Sequence, residues 1–390
     1  MNRSSLPALL AFSLAAACAG TETQRDQAPA PGAGAPAGSS AAPTGSKAQS
    51  GTAPFAGLTA CDELLRPGEK HFAHLWRLTK GVENAAEAYW SFAGDRLVYQ
   101  ATPVGTTCDR IYATDLRGGN PLRLSDERGV TTCAYFLPDD KSVLYASTTA
   151  YHRDCPPPPD RSAGYVWQVH PEFDIYLHDL ASGRETALTT EYGYDAEATV
   201  SPKGDRMVFT STRSGDLELW TAKLDGTDLK QVTHEPGYDG GAFFSHDGQW
   251  LVYRSTMFTP GKEKEEQADY EKLLAKWQVR PTRMEIMVSR VDGSERRRVT
   301  DLGKANWAPF FFVGDKRIVF ATNHHDDKKG MPNFDLFAID VDGKNLERIT
   351  FEPDFDAFPV FSPDGKWLVF ASNRGASKPG ETNLYVAEWR

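Results

Sequence analysis

Acidic residues recur at matched places in this 390-residue chain. In GYDAEATVS (193–201), GYDGGAFFS (237–245) and DFDAFPVFS (354–362), Asp195, Asp239 and Asp356 share one position, and VENAAEAYWS (82–91) aligns Asn84 with them. Glu87 and Glu197 follow a little further on in their segments. Carboxylates gathered in a ring could bind a cation, a cationic peptide or the hydroxyls of a sugar. The same Asp residues also fit turn capping, in which the side chain accepts nearby backbone N–H groups. Arg213 in STR and Arg374 in SNR occupy one common station, and His324 takes it in NHHDD (323–327). Histidine beside acids is metal-ligating chemistry, but no spacing ties His324 to His152 or His170. No GxSxG elbow, HExxH, phosphate loop or GxGxxG occurs, so no catalytic residue, resident metal or cofactor is implied.

Cysteine chemistry is limited in the same way. The chain has five cysteines, none in CxxC spacing, which leaves zinc binding and dithiol redox catalysis unsupported. Cys61, Cys108, Cys133 and Cys155 could form two disulfides in an oxidising compartment, with three connectivities open.

The elements that must hold these residues are strands. SPKGDRMVF (201–209), SHDGQWLVY (245–253) and SPDGKWLVF (362–370) repeat one turn-then-strand unit, with weaker copies at 91–99, 137–145 and 313–320. Each puts Gly or Asp in a tight turn ahead of an aliphatic run that ends on an aromatic residue. Those aromatics are Tyr99, Tyr145, Phe209, Tyr253, Phe320 and Phe370. A second unit follows each, as in ELWTAKLDGTDLKQVT (218–233), with anchors at Tyr112, Tyr176, Trp220, Met287, Phe337 and Tyr385. From anchor to terminal hydroxyl (Ser125, Thr189, Thr233, Thr300, Thr350) the separation is always 13, and from that hydroxyl to the next aromatic it is always 20. Only the stretch from aromatic to anchor varies. Four strands per unit with one variable connection predict an all-β, six-bladed β-propeller of four-stranded blades. The sixth unit lacks its outer strand, and HLWRLT (74–79) supplies it, because Thr79 to Tyr99 is again 20. A strand from the N-terminal side should therefore close the ring.

These repeats resemble those of the TolB propeller family, often described as WD-repeat-like, over roughly residues 72–390. The resemblance implies a propeller. The stretch at 52–71 is too short for the α/β domain that precedes the propeller in TolB, so the chain reads as a stand-alone propeller. Propeller polysaccharide lyases carry similar repeats with histidines around a metal, which makes a metal-dependent saccharide lyase or hydrolase the alternative reading.

In such a blade the strands run a to d from the channel outwards, and the b–c loops share a face with the d–a connections between blades. All the length variation therefore falls on one face, which is where binding loops on a rigid scaffold are expected. Residues 148–174 carry a proline run, and residues 261–284 place Tyr270, Leu274 and Trp277 at helical spacing. The second insertion predicts one amphipathic helix, serving either as rim packing or as a lid. The candidate ligand-binding residues at the channel mouth are Glu87, Asp195, Glu197, Asp239, Asp356, Arg213, His324 and Arg374.

Composition sets the outer limits. A net charge of -10 argues against nucleic acid or an anionic membrane surface as partner. Residues 1–18 read as an export signal, with Cys18 after three alanines as a lipidation site, and 19–51 as an Ala/Pro/Gly/Ser linker. A strap at 52–71 leads into the propeller at 72–390. The expectation is a monomeric, exported module, periplasmic or anchored to the outer membrane through Cys18 lipid. Its partner would be an envelope protein or a small ligand, bound without catalysis.

Overall fold

The computed structural model describes Phe55 and residues 58–116, 121–157, 159–162, 164–327 and 333–390. The export signal, Cys18 and the linker lie outside these residues.

Six antiparallel sheets of four strands form the ring, and the sixth carries a fifth strand at its edge. Strand a of each blade lines the channel: Val82–Trp90, Thr131–Phe136, Asp195–Val200, Asp239–Phe244, Asn306–Phe311 and Asp356–Phe361. Strands such as Met207–Ser211 are buried throughout, because blades pack face to face and cover both sides. The short outer strands, Lys230–Gln231 and Arg297–Arg298 among them, are polar and largely exposed.

The two sequence markers turn out to be partners. In every blade the aromatic of strand b lies directly opposite the anchor of strand c, as Tyr99 opposes Tyr112, Tyr145 opposes Tyr176, and Phe209 opposes Trp220. Tyr253 meets Met287, Phe320 meets Phe337 and Phe370 meets Tyr385. Large directly opposed side chains of this kind are what pin register in a sheet.

The terminal hydroxyls have an equally regular task. Each accepts the backbone N–H of the residue before the anchor: Ile111, Ile175, Leu219, Ile286 and Leu336 donate at 2.8 to 3.0 Å. Thr79 Oγ1 accepts from Leu384 at 2.9 Å and completes the set in the sixth blade. There Phe72–Arg77 pairs with Asn383–Trp389, so an N-terminal strand does close the ring.

The strap ahead of this strand is held to the ring as well. Thr59–Ala60 adds to its outer edge, and the Phe55 ring packs on Trp76 and Trp367. Arg66 pairs with Glu352 at 2.8 Å and Glu69 with the buried Arg374 at 3.0 Å.

The insertion at 261–284 forms a helix, α1, over Glu263–Leu274. Tyr270 is buried and its hydroxyl bonds Asp216, while Leu274 packs on the core. Trp277 departs from the expected helical stripe, since it lies past the helix end with φ +57. The chain turns there to pair Gln278–Val279 with Trp167–Gln168 of the other insertion. The two insertions thus join each other across the third blade.

Candidate functional site

Each strand a breaks its register with a bulge, and the bulged residue has a positive φ: Glu87, Cys133, Glu197, Gly241, Ala308 and Phe358. Left-handed backbone disfavours residues with a Cβ by roughly 1–2 kcal/mol. Six recurrences show that the packing imposes it. A bulge re-aims the local side chain, and these six residues all line one small cavity of about 30 Å³ in the channel. That is room for one or two water molecules. Glycine is required at 241, because a Cβ there would collide with Arg254 Nη1.

The cavity has one strongly polar wall. Arg254, from strand b of the fourth blade, bonds Glu197 and lies 2.6 Å from Tyr238 Oη. Tyr238 and Thr210 donate to Glu197 at 2.8 and 2.7 Å, and the Gly241 amide donates at 2.9 Å. Burial pushes the Glu197 carboxyl up, but the Arg254 charge and these donors outweigh it and hold it below its usual range. Burial opposes the charge on Arg254, yet Glu197 raises its proton affinity on balance. Trp167, from the proline-rich insertion, lies over the guanidinium, 5.3 Å from ring centre to Cζ.

Glu87 stands in a different state. It is buried, and among the described residues it has no positive partner in hydrogen-bond range and its Oε2 is unmatched. Burial raises its carboxyl to about 8, helped by Glu197 and opposed by a bond with Cys133 and the Arg254 charge. One acid of the cavity is ionised and paired, the other protonated at neutral pH. Burial likewise raises the Cys133 thiol, with Glu87 and Glu197 adding to the effect.

Below the cavity an aromatic cluster narrows the channel. The rings of Tyr89, Tyr135, Phe243 and Phe310 pack together, with centroids 5.3 to 5.7 Å apart along the chain Tyr135–Tyr89–Phe243–Phe310.

The other sequence candidates are placed around this core rather than in it. Asp195 pairs with Arg213 at 2.7 Å, and Asp356 with Arg374 at 2.8 Å, where neither side chain of the second pair is exposed. Both arginines return to the Ser residue two places earlier (Ser211, Ser372), and the His324 amide uses Thr322 in the same way. Their shared station is therefore real. Asp239 has Arg296 as its cation among the described residues, at 3.6 Å, and Met257 stands at the station that arginine holds in the third and sixth blades. Register also shows that Ala85, not Asn84, matches Asp195, Asp239 and Asp356, since each faces the residue two past the aromatic. His324 rests against Phe337, while His152 is near Glu172 and His170 meets Phe173 edge to face. Among the described residues no group of three or more His, Cys, Asp or Glu side chains is placed to hold a metal ion.

Of the cysteine candidates, Cys108 and Cys155 are joined, with Cα atoms 5.8 Å apart, and the bond ties the proline-rich insertion to the first blade. Cys61 and Cys133 are free thiols.

Sequence reading missed Arg254, Tyr238 and Trp167. A signal was present for the first. The residue after the strand-b aromatic is Gln100, Ala146, Thr210, Ala321 or Ala371 elsewhere, so an arginine in that buried row is out of place. The bulges leave no sequence mark of their own.

No family profile matches this chain. Dipeptidyl-peptidase 5 of Porphyromonas endodontalis is 24% identical over 174 residues, 42% of this chain and 23% of that protein. An uncharacterized protein of Agrobacterium fabrum is 30% identical over 145 residues, 37% of this chain and 42% of its own length. The chain thus matches less than half the length of these curated relatives. Among solved structures, a putative TolB from Agrobacterium tumefaciens superposes with a TM-score of 0.50 at 19% identity, covering 79% of this chain and 91% of that one. A gluconolactonase from Xanthomonas campestris gives 0.55 at 14% identity, covering 87% and 99%. These likenesses concern the fold, which is a TolB-like six-bladed propeller. No helix among the described residues is long and apolar enough to cross a membrane.

Proposed function

We propose that the protein is a non-catalytic binding module of the cell envelope that engages a protein partner through its insertion-bearing face. The observation that carries this reading is the joined cap. Two insertions from different blades pair edge to edge, and each is fastened to the ring, one by Cys108–Cys155 and the other by Tyr270 on Asp216. Loops built into a rigid platform suit recognition. The platform leaves large apolar side chains in water, Tyr192 at 66% exposure and Tyr151 at 48%, with Tyr192 braced edge-on against Trp277. Exposed tyrosines held in place are characteristic anchors of protein interfaces.

In this reading Glu87 and Glu197 line a small polar pocket beneath the cap. Asp195, Arg213, Asp239, Asp356, Arg374 and His324 stiffen the rim that presents it. Export through the N-terminal signal, with Cys18 carrying lipid, would place the module in the periplasm or on the outer membrane.

A photo-crosslinking amino acid at position 192, compared with one at Leu346 on the outer edge, tests the surface in living cells. A discrete adduct at 192 that is absent at 346 and lost in Tyr151→Ala supports the reading. Equal adducts at both positions would sink it. Labelling with a lipid precursor, lost in Cys18→Ser, tests the anchor separately.

A further inference from the structure

The opposite mouth of the channel holds a second, larger hollow, of about 230 Å³. It lies among the a–b turns, and Tyr135 and Phe310 of the ring cluster belong to its lining, whereas Tyr89 and Phe243 line the Glu197 cavity. Residues from all six blades line it, and its walls are mainly rings: Trp90, Phe92, Tyr135, Phe244, Phe310 and Phe361. Because these walls are the ends of the innermost strands and the turns fixed to them, the hollow is preformed.

The indole and serine polar atoms of its lining are engaged elsewhere, which leaves the Tyr135 hydroxyl and the His246 ring. Trp90 Nε1 donates to the Val360 carbonyl at 3.1 Å. Ser91 Oγ and Ser245 Oγ accept the amides of their own turns, from Arg96 at 3.0 Å and Trp250 at 2.9 Å. Among the described residues no charged side chain lines the hollow except at its rim, where His246 Nδ1 meets Asp315 Oδ1 at 2.6 Å. Burial pushes the Asp315 carboxyl up, but its bonds from His246 hold it below the usual range on balance. It therefore stays a carboxylate that accepts from Nδ1–H, leaving Nε2 as the ring's other polar atom.

We propose that this hollow binds a free, compact, uncharged aromatic molecule of about the size of indole, with its one N–H or O–H directed to His246 Nε2. The size follows from comparison, since an apolar cavity of about 150 Å³ is enough to stay dry and take up benzene. Neutrality follows from the lining, because an ion placed here would be desolvated without a counter-charge. Ring-lined walls favour a planar aromatic guest through edge and face contacts.

Titration calorimetry of the full chain with indole tests this. The expected result is saturable binding at one equivalent. In His246→Ala the affinity for indole should fall about tenfold, while that for 1-methylindole, which has no N–H, stays the same. Pro363→Trp, at the exposed lip of the hollow, should abolish binding of both without lowering the melting temperature. Absence of saturable binding at millimolar indole would overturn the proposal, as would binding that survives Pro363→Trp. If N-acetyltryptophanamide bound more tightly than indole, the natural occupant would be a side chain on a polypeptide, and the assignment of a free small molecule would fall. None of these outcomes touches the insertion face, so the two readings stand or fall separately.

Discussion

Two carboxylates lining one cavity hold opposite protonation states, because Glu197 is paired with the Arg254 guanidinium and Glu87 is buried without such a partner. For Glu87 the sign is clear. Its folded value of about 8 lies above the ordinary 4.5, so the native state keeps a proton that the unfolded chain has lost. Stability contributed by that proton is present at pH 5 and is lost as the pH climbs to 8. Glu87→Gln should flatten this part of the profile, and the melting temperatures of the two proteins should diverge between pH 5 and 8. Parallel curves would show that the burial argument is wrong. Glu197 is the reverse case: Arg254→Leu leaves it ionised and unpaired, and should cost about 3–5 kcal/mol in urea unfolding. Adding Glu197→Gln should recover a good part of that. Much of this was not legible in the sequence. Glu87 and Glu197 could be proposed as channel residues from their place in the repeat. Their opposed states depend on burial and on Arg254, which comes from another blade.

The elements that set the working surface are the two insertions, and their lengths were readable while their pairing was not. A two-residue contact between Trp167–Gln168 and Gln278–Val279 has no spacing rule behind it. It also explains why the helix stops before Trp277, a residue whose helical spacing was misleading. The disulfide closes a separation of 47 residues. Cys108→Ser should lower global stability by about 2–4 kcal/mol at most, the usual range for such a loop. The sharper effect should be local, with limited proteolysis cutting within 148–174 before any other site. An unchanged digestion pattern would mean that the strand pairing alone fixes the loop.

At the scale of the whole molecule, the ring was almost fully legible, for a physical reason. The interval of 13 counts from the strand-c anchor, beside the donor amide, to the hydroxyl that accepts it. The aromatics are visible because they are cross-strand neighbours of the anchors. Both are local rules repeated six times, and repetition makes them stand out. The same hydrogen bond predicts equivalence between an ordinary blade and the closing one. Thr79→Val and Thr233→Val each leave one buried amide unpaired, Leu384 in the first case and Leu219 in the second. Each should cost about 1–3 kcal/mol. If Thr79→Val were silent in thermal unfolding, the N-terminal strand would not be closing the ring in solution. The strap has a further, mechanical consequence. Tension on the chain ahead of Phe55 would first draw the buried Phe55 ring off Trp76 and Trp367 and then peel the Thr59–Ala60 edge pairing, two residues long, like the end of a zip. It would next meet the Arg66–Glu352 and Glu69–Arg374 ion pairs before any force reached Phe72–Arg77. The strap therefore works as strain relief works on a cable, so that a protein tugged by its N-terminal end would give slack at the edge while the ring stayed shut.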